Sequence, residues 1–318
     1  MVANLAKAYT KLGHKVTTFA CGGSKPAGKL VKVIDRPLYD LLGGFTWKGI
    51  PAQEFLEYDA FFKRRHQFDV VHNHLGFHPL AFSSLLDMPM VTTLHSSLPP
   101  DFPELAHQFR DRNFVSISNA QRTLAPKLNY LKTIYHGIDT AALPYVAKPK
   151  SYLLFLSSLI RNKGIDLAVR AARDLQLPLI IAGEVREPER AFLNKTVFPY
   201  VDGKQIRFVG EVNNAQKIKL MSQAKALVLP VRWSEAFGLV MVEAMASGTP
   251  VVSFRKGSVP EVIEHGRTGY VVDTFSQFKR AIQSASKIDR GTCRKTAVQQ
   301  FDLLTMGQQY IDLFKQLL

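Results

Sequence analysis

Twelve short apolar runs, rich in β-branched residues and separated by stretches of helical periodicity, restrict what this chain can fold into more than any other feature. In the first half they are Val16–Ala20, Val31–Ile34, Asp69–His72, Val91–Leu94, Phe114–Ile117 and Thr133–Tyr135. In the second half they are Tyr152–Leu156, Leu179–Ala182, Ile206–Val209, Ala226–Leu229, Val251–Phe254 and Tyr270–Val272. A strand that is apolar along its whole length must be covered on both faces. Helices between consecutive strands supply that cover, so the pattern predicts the parallel sheets of an α/β protein. The runs are too many for one such sheet and divide six and six at Ala147-Lys148-Pro149-Lys150, a polar, proline-containing linker. At about 150 residues per domain, 318 residues supply two cores. The expected domains are 1–146 and 147–300, followed by a C-terminal helix over 301–318. Its Leu303, Tyr310, Ile311, Phe314, Leu317 and Leu318 share a face that must dock on something.

The start of the chain departs from this scheme. Val2, Leu5, Tyr9 and Leu12 mark a helix from the first residues, and Gly13 stops it. A doubly wound domain opens instead with a strand and a Gly-rich turn ahead of that helix, and the strand is central in the sheet. Without it, the first domain is expected to be weakened, with unpaired backbone on both sides of a gap. An extension carrying an apolar strand and a Gly-Gly turn is expected to raise stability and activity. The other arrangement is direct pairing of Val16–Ala20 with Asp69–His72.

Charge narrows the partners. Lys plus Arg number 41 against 26 Asp plus Glu, a formal +15, which favours phosphorylated small molecules, anionic lipid or nucleic acid. The basic residues are scattered, with Lys63-Arg64-Arg65 the only tight cluster, and no nucleic-acid-binding motif is present, so nucleic acid is not expected. No apolar run nears the roughly 18 residues that span a bilayer, and Lys7, Lys11 and Lys15 interrupt the N-terminus, which is therefore no signal peptide. A cytoplasmic location is expected, with peripheral contact to the inner face of an anionic membrane left open. Two cysteines, Cys21 and Cys293, make neither a zinc site nor a disulfide framework, and Cys21 has no neighbouring base to activate it. The absence of any Gly-x-Gly disfavours a dinucleotide-dependent dehydrogenase. Among the histidines, His14, His66 and His265 read as surface residues, and His107 and His136 stay undecided. His72, His74 and His78 lack a carboxylate partner spaced among them and read as loop scaffolding rather than metal ligands.

The most informative stretch runs from Trp233 to Val252. Glu235 follows the strand Ala226–Leu229, at the edge where open α/β sheets bind ligands. A helix from about Phe237 should stop near Gly248, with Pro250 beyond it. Its first N–H groups lack partners within the helix and its dipole is positive there, which suits a diphosphate. Glu243, on the same helix, can reach a pair of sugar hydroxyls. The bland alternative is that both glutamates merely cap and solvate the helix.

Glu235 and Glu243 in Glu-x7-Glu spacing, with Phe237-Gly238-Leu239 between them, resemble the retaining family-4 glycosyltransferases of the GT-B fold. The resemblance extends through Asn162-Lys163-Gly164, Phe208-Val209-Gly210-Glu211, Gly257 to Glu261 and Gly266 to Gly269. In the first half it includes His72-Asn73-His74, His95, Ser118-Asn119-Ala120 and Gly137-Ile138-Asp139. It implies two Rossmann-like domains facing across a cleft, and a C-terminal helix that crosses back to the first domain. The implied reaction moves a sugar, with retention, from a nucleotide diphosphate sugar to an acceptor of unknown class (glycan, lipid or small molecule). In that reading Glu235 holds the donor sugar, Glu243 the ribose and Lys163 the phosphates. Gly210 lines the base, Phe237, Gly238 and Leu239 form the loop, and His95 contacts the donor sugar near the transfer point. No two aspartates stand two residues apart, so neither a metal nor another cofactor is expected. One departure is chemical: the family's Gly-Arg five residues before the lysine reads Ser157-Ser158 here, with Arg161 as the nearest substitute for the lost phosphate arginine. The rival readings are a catalytically impaired nucleotide-sugar-binding or interaction protein of the same fold, and a nucleotide-sugar epimerase.

Overall fold

The computed structural model describes residues 1–37, 50–96, 102–123 and 125–318. The chain forms two compact units, Met1–Gly137 with Leu303–Leu318, and Ile138–Asp302. In the first unit the strands are β1 (Thr17–Ala20), β2 (Lys29–Lys32), β3 (Val71–Asn73), β4 (Met90–Thr93), β5 (Asn113–Ser116) and β6 (Tyr130–Thr133). Helix α1 (Val2–Lys11) precedes them, and α2 (Ile50–Phe62), α3 (Phe102–His107) and α4 (Asn119–Arg122) lie between them. The second unit carries β7 (Leu153–Leu156), β8 (Leu179–Ala182), β9 (Ile206–Phe208), β10 (Ala226–Leu229), β11 (Val251–Phe254) and β12 (Gly269–Val272). Its helices are α5 (Ile165–Asp174), α6 (Arg190–Thr196), α7 (Asn214–Gln223), α8 (Leu239–Ala246), α9 (Val259–Val262), α10 (Phe275–Ser284) and α11 (Arg290–Phe301). A last helix, α12 (Leu303–Lys315), belongs to the first unit.

Each expected strand has a counterpart, β6 being displaced to Tyr130–Thr133 from the expected Thr133–Tyr135, and all pairings among the described residues are parallel. Five of them, β2, β4, β5, β6 and β9, end earlier than the apolar pattern suggests, and for three the reason is burial. Leu94, Ile117 and Ile134 are buried just beyond the ends of β4, β5 and β6, so core burial continues after the ladder stops. The second unit's sheet has the order β12-β11-β10-β7-β8-β9. From β7 the chain builds outward through β8 and β9, then returns to place β10 on the other side. The crevice beyond the C-terminal ends of β7 and β10 is therefore the switch point where such sheets bind ligands.

The first unit is divided. Among the described residues, strands β1 and β2 pair only with each other, and β3-β4-β5-β6 form a separate sheet. Direct pairing of the Val16–Ala20 segment with Asp69–His72, the second arrangement drawn from the sequence, does not form. Helix α12 docks on α1 at a small-residue contact, where a Cβ on Gly307 would lie 2.6 Å from the Cβ of Ala8. Leu5, Tyr9, Val91, Val115, Ile134, Tyr310 and Phe314 then close one core. Burying large side chains of this kind contributes roughly 1.5–3 kcal/mol each, which answers the demand of the C-terminal apolar face.

Candidate functional site

Two loops meet at the switch point of the second unit. After β7 the chain makes a short turn, Arg161–Lys163, and enters α5 through Gly164 in the left-handed region (φ 75°). A Cβ on Gly164 would stand 2.0 Å from the carbonyl oxygen of Pro230, so only glycine lets this loop lie against the one after β10. The Arg232 N–H donates to the Asn162 carbonyl at 2.8 Å, and the Arg232 guanidinium pairs with Asp166 at 2.6 Å. The contact brings together residues 72 apart in sequence: Lys163 Nζ lies 2.5 Å from Glu235 Oε2. Trp233 Nε1–H donates to the same oxygen at 3.0 Å, and the Lys163 ammonium sits 4.8 Å from the centre of the Trp233 ring. Glu235 is itself fixed by its backbone, since its carbonyl accepts from Ser258 N at 2.9 Å. Gly257 allows that approach, because its Cβ would fall 2.4 Å from Glu235 N.

Both charges are largely buried, with side-chain exposures of 16% for Lys163 and 9% for Glu235. Their mutual attraction offsets desolvation only while they are paired, so the pair is poised to exchange partners with a charged ligand. Glu243 makes a comparable contact, its Oε1 taking Lys217 Nζ of α7 at 2.7 Å. Helix α8, which carries Glu243, begins at Leu239 rather than Phe237, after Gly238 at φ 80°. No side chain caps its N-terminus, and Met241 N donates to the Gly238 carbonyl at 2.9 Å, which leaves the first-turn N–H groups of Leu239 and Val240 to face an anion.

The other expected donor residues fall in three settings. Gly210 ends the β9 edge at φ 71° with nothing within 4 Å of its Cβ position, and its carbonyl accepts from Gly183 N at 2.9 Å. Ser158 is half-buried beside the β7 end, and its carbonyl accepts from Ile160 N. The Arg161 guanidinium lies 4.7 Å over the Phe192 ring, engaged toward α6. Phe237 is buried, at 2% exposure, and its ring meets Phe301 edge-on at 5.9 Å, so its side chain anchors the loop from the core.

Sequence reasoning missed Lys217, the Trp233 and Arg232 contacts, and Arg290. Buried Arg290 donates to the carbonyls of Val146, Ala224 and Ser222 and to Thr249 Oγ1, and so ties α11 to the ends of α7 and β11. For Lys217, Arg232 and Arg290 nothing in the spacing announces the contact, because each partner is distant along the chain, while Trp233 stands two residues from Glu235.

In the first unit, His95 belongs to a linked set. His74 Nδ1 is 2.9 Å from His95 Nε2, and His95 Nδ1 is 3.3 Å from His136 Nε2. His72 lies against His74, with ring centres 4.0 Å apart, and bonds Tyr9 and Thr93. Burial pushes His72 down to about 3 and His95 to about 4, and holds His74 and His136 well below the ordinary histidine range. These rings are neutral at pH 7. His72 and His74 thus stand in a buried hydrogen-bonded network that includes His95. His78 does find a carboxylate, Glu54 of α2, lying 24 residues upstream rather than among the histidines. Among the described residues no group of three or more His, Cys, Asp or Glu is placed to hold a metal ion, and no helix is long and apolar enough to cross a membrane.

With this geometry in place, the chain compares directly with known proteins. Residues 1–142 match glycosyltransferase family 4, and residues 145–298 match glycosyl transferases group 1. A D-inositol 3-phosphate glycosyltransferase of Pseudarthrobacter chlorophenolicus is 28% identical, over 86% of this chain and 77% of its own length. A glycogen synthase of Mycobacterium tuberculosis is 30% identical over 63% of this chain, a match spanning 55% of that enzyme. Among solved structures, sucrose-phosphate synthase of Thermosynechococcus elongatus superposes with a TM-score of 0.82 at 19% identity, covering 99% of this chain and 92% of that one. HepE of Anabaena in complex with UDP-glucose superposes at 0.76 and 18% identity, covering 99% and 96%. The chain has the GT-B fold and belongs to glycosyltransferase family 4.

Proposed function

We propose that this chain transfers a sugar from a nucleotide diphosphate sugar to an acceptor with retention of anomeric configuration and without a metal. The observation that carries the reading is the Lys163–Glu235 pair at 2.5 Å, placed at the switch point with the uncapped α8 in the same loop region. Transfer leaves growing negative charge on a departing diphosphate. The Lys163 ammonium and the first N–H groups of α8 stabilise that charge, and they do so more strongly in a partly desolvated site. Donor binding exchanges partners. The diphosphate draws Lys163 away, and Glu235 Oε2 then accepts a hydroxyl of the donor sugar. Glu243, held by Lys217 through Oε1, keeps Oε2 for the ribose. Support for this donor class comes from HepE, which has been solved with UDP-glucose.

Calorimetry with nucleotide diphosphate sugars tests the assignment. A charge-assisted hydrogen bond contributes roughly 1.5–3 kcal/mol, so Lys163→Ala and Glu243→Ala should each weaken binding about tenfold or more. Unchanged affinity in both variants removes the site. Turnover should survive EDTA, and NMR of the product should show the donor's anomeric configuration. Activity restored only by added manganese, or an inverted product, contradicts the mechanism. A second reading, a binding protein without turnover, rests on Ser158 in place of the phosphate arginine. It predicts donor binding without hydrolysis or transfer.

A further inference from the structure

At the switch point of the second unit three side chains close a triangle, and each of its sides is a different kind of contact. Lys163 Nζ meets Glu235 Oε2 at 2.5 Å, Trp233 Nε1–H donates to the same oxygen at 3.0 Å, and the Lys163 ammonium lies 4.8 Å from the centre of the Trp233 ring. The indole therefore uses its edge for Glu235 and its face for Lys163. Its nitrogen can only donate, so the edge contact has one sense, from N–H to carboxylate. Lys163 holds two partners through one charge, whereas the bond between Trp233 and Glu235 does not involve the ammonium.

The tryptophan is also fixed independently of the lysine side chain. Immediately before it, Arg232 N donates to the Asn162 carbonyl at 2.8 Å, and the Arg232 guanidinium reaches Asp166 at 2.6 Å and the Arg161 carbonyl at 3.2 Å. Two residues after it, the Glu235 carbonyl accepts from Ser258 N at 2.9 Å. A side chain between two such anchors keeps its place when a neighbour leaves. Trp233 is 39% exposed although its N–H is engaged, so burial of the ring does not account for its position. If the ammonium departs, Glu235, with its side chain 9% exposed, keeps a charge that water reaches poorly, and such a charge needs a remaining hydrogen-bond donor. The indole N–H is a donor already in place.

We propose that Trp233 is a positioning residue for recognition of the donor sugar. When the diphosphate draws Lys163 off Glu235, the indole N–H keeps its bond to Oε2 and holds the carboxylate where the place vacated by Lys163 accepts a sugar hydroxyl. This role rests on the donor-site reading above. It makes discrimination between a nucleoside diphosphate and its sugar conjugate depend on the Trp233 N–H.

Calorimetry on the full chain compares UDP with UDP-glucose, GDP with GDP-mannose and ADP with ADP-glucose. The pair that binds most tightly is then measured on Trp233→Phe, which keeps a ring face for Lys163 and removes the N–H. Affinity for the nucleoside diphosphate should stay within about twofold, and the ratio of conjugate to nucleoside diphosphate affinity should fall about tenfold, as for loss of one charge-assisted bond. Trp233→Leu, which removes the ring as well, should lower that ratio to the same extent. An unchanged ratio, or a loss shared equally by both ligands as loosening of the loop would produce, overturns the proposal. A second measurement does not depend on how those variants fold. The chain holds two tryptophans, so Trp47→Phe leaves the indole N–H signal of Trp233 alone in an NMR spectrum. That proton should exchange with water about tenfold or more slowly than a free indole, both before and after saturation with the conjugate. Exchange at the free-indole rate in the bound state overturns the proposal. If the unaltered chain binds none of these ligands, the donor reading itself fails and the role of Trp233 falls with it. If it binds both members of a pair and Trp233→Phe leaves their ratio unchanged, only the role of Trp233 is removed.

Discussion

At the phosphate side of the donor site, the missing guanidinium is a question of one side chain. Ser158 stands where the family resemblance implies an arginine, and its hydroxyl cannot make the bidentate bonds a guanidinium makes to a diphosphate. Arg161 does not replace it in this conformation, because its guanidinium is stacked on Phe192 and its backbone N–H donates to Glu189. The space beside Lys163 is therefore not taken by that cation. Ser158→Arg should tighten donor binding by about tenfold, as expected for one added charge-assisted contact. Titration calorimetry reads this directly. Weaker binding in the variant would mean that Arg161 swings back to the phosphates when donor arrives. At this scale the sequence was legible where chemistry is local. The Glu235 to Glu243 spacing and the Lys163-Gly164 pair could be read from the chain, and the structure brings Lys163 and Glu235 together. Lys217 could not be read, because its contact with Glu243 depends on how α7 packs beside α8.

Loops at the ends of β7 and β10 set the geometry of that site, and glycines allow them to touch. Gly164→Ala tests this at the level of the element. The added Cβ meets the Pro230 carbonyl at 2.0 Å, backbone against backbone, on a residue already at φ 75°. The left-handed conformation alone costs an alanine about 1–2 kcal/mol. Gly203→Ala supplies that term by itself, since Gly203 has φ 72° and nothing within 4 Å of its Cβ. Denaturant unfolding should therefore show Gly164→Ala as clearly the more destabilised variant. Its donor affinity should also fall, as the turn bearing Lys163 is pushed away from Glu235. Equal losses in the two variants would mean that the loops adjust without strain. Elements themselves were largely legible, because continuous apolar runs can only be doubly covered strands. Their ends were less so: Leu94, Ile117 and Ile134 are apolar because the core extends past the ladder, and hydropathy alone does not distinguish core from strand.

On the scale of the whole molecule, the two units should respond differently to acid. Both the six-and-six division of strands and the need for α12 to dock were visible in the pattern. The histidine network was not, since His72, His74, His95 and His136 become neighbours only when three strand ends are aligned. All four rings have their pKa lowered by burial, to about 3 for His72 and about 4 for His95. An unfolded histidine titrates near 6.5, so below that pH the unfolded chain binds more protons than the folded one. The stabilising contribution of the neutral rings is therefore complete above about pH 6.5 and is lost as pH falls through 6 and 5 toward the folded values. Each affected ring contributes a slope of at most about 1.4 kcal/mol per pH unit, less for His72 and His74, which are half-buried. Glu57 acts the opposite way. Burial raises its carboxyl to about 7, so folding gains as pH falls from 7 toward its unfolded value, but one carboxyl opposes four rings. The net result is acid destabilisation of the first unit. Urea unfolding at pH 7 and pH 4.5, followed by NMR at Val91 and Val115 in one unit and Leu154 and Leu227 in the other, should show the midpoint falling in the first unit and moving much less in the second. His95→Gln, which keeps a polar side chain but cannot titrate, should reduce the shift. Equal midpoint changes in both units, or an unchanged shift in the variant, would detach acid sensitivity from the histidine network.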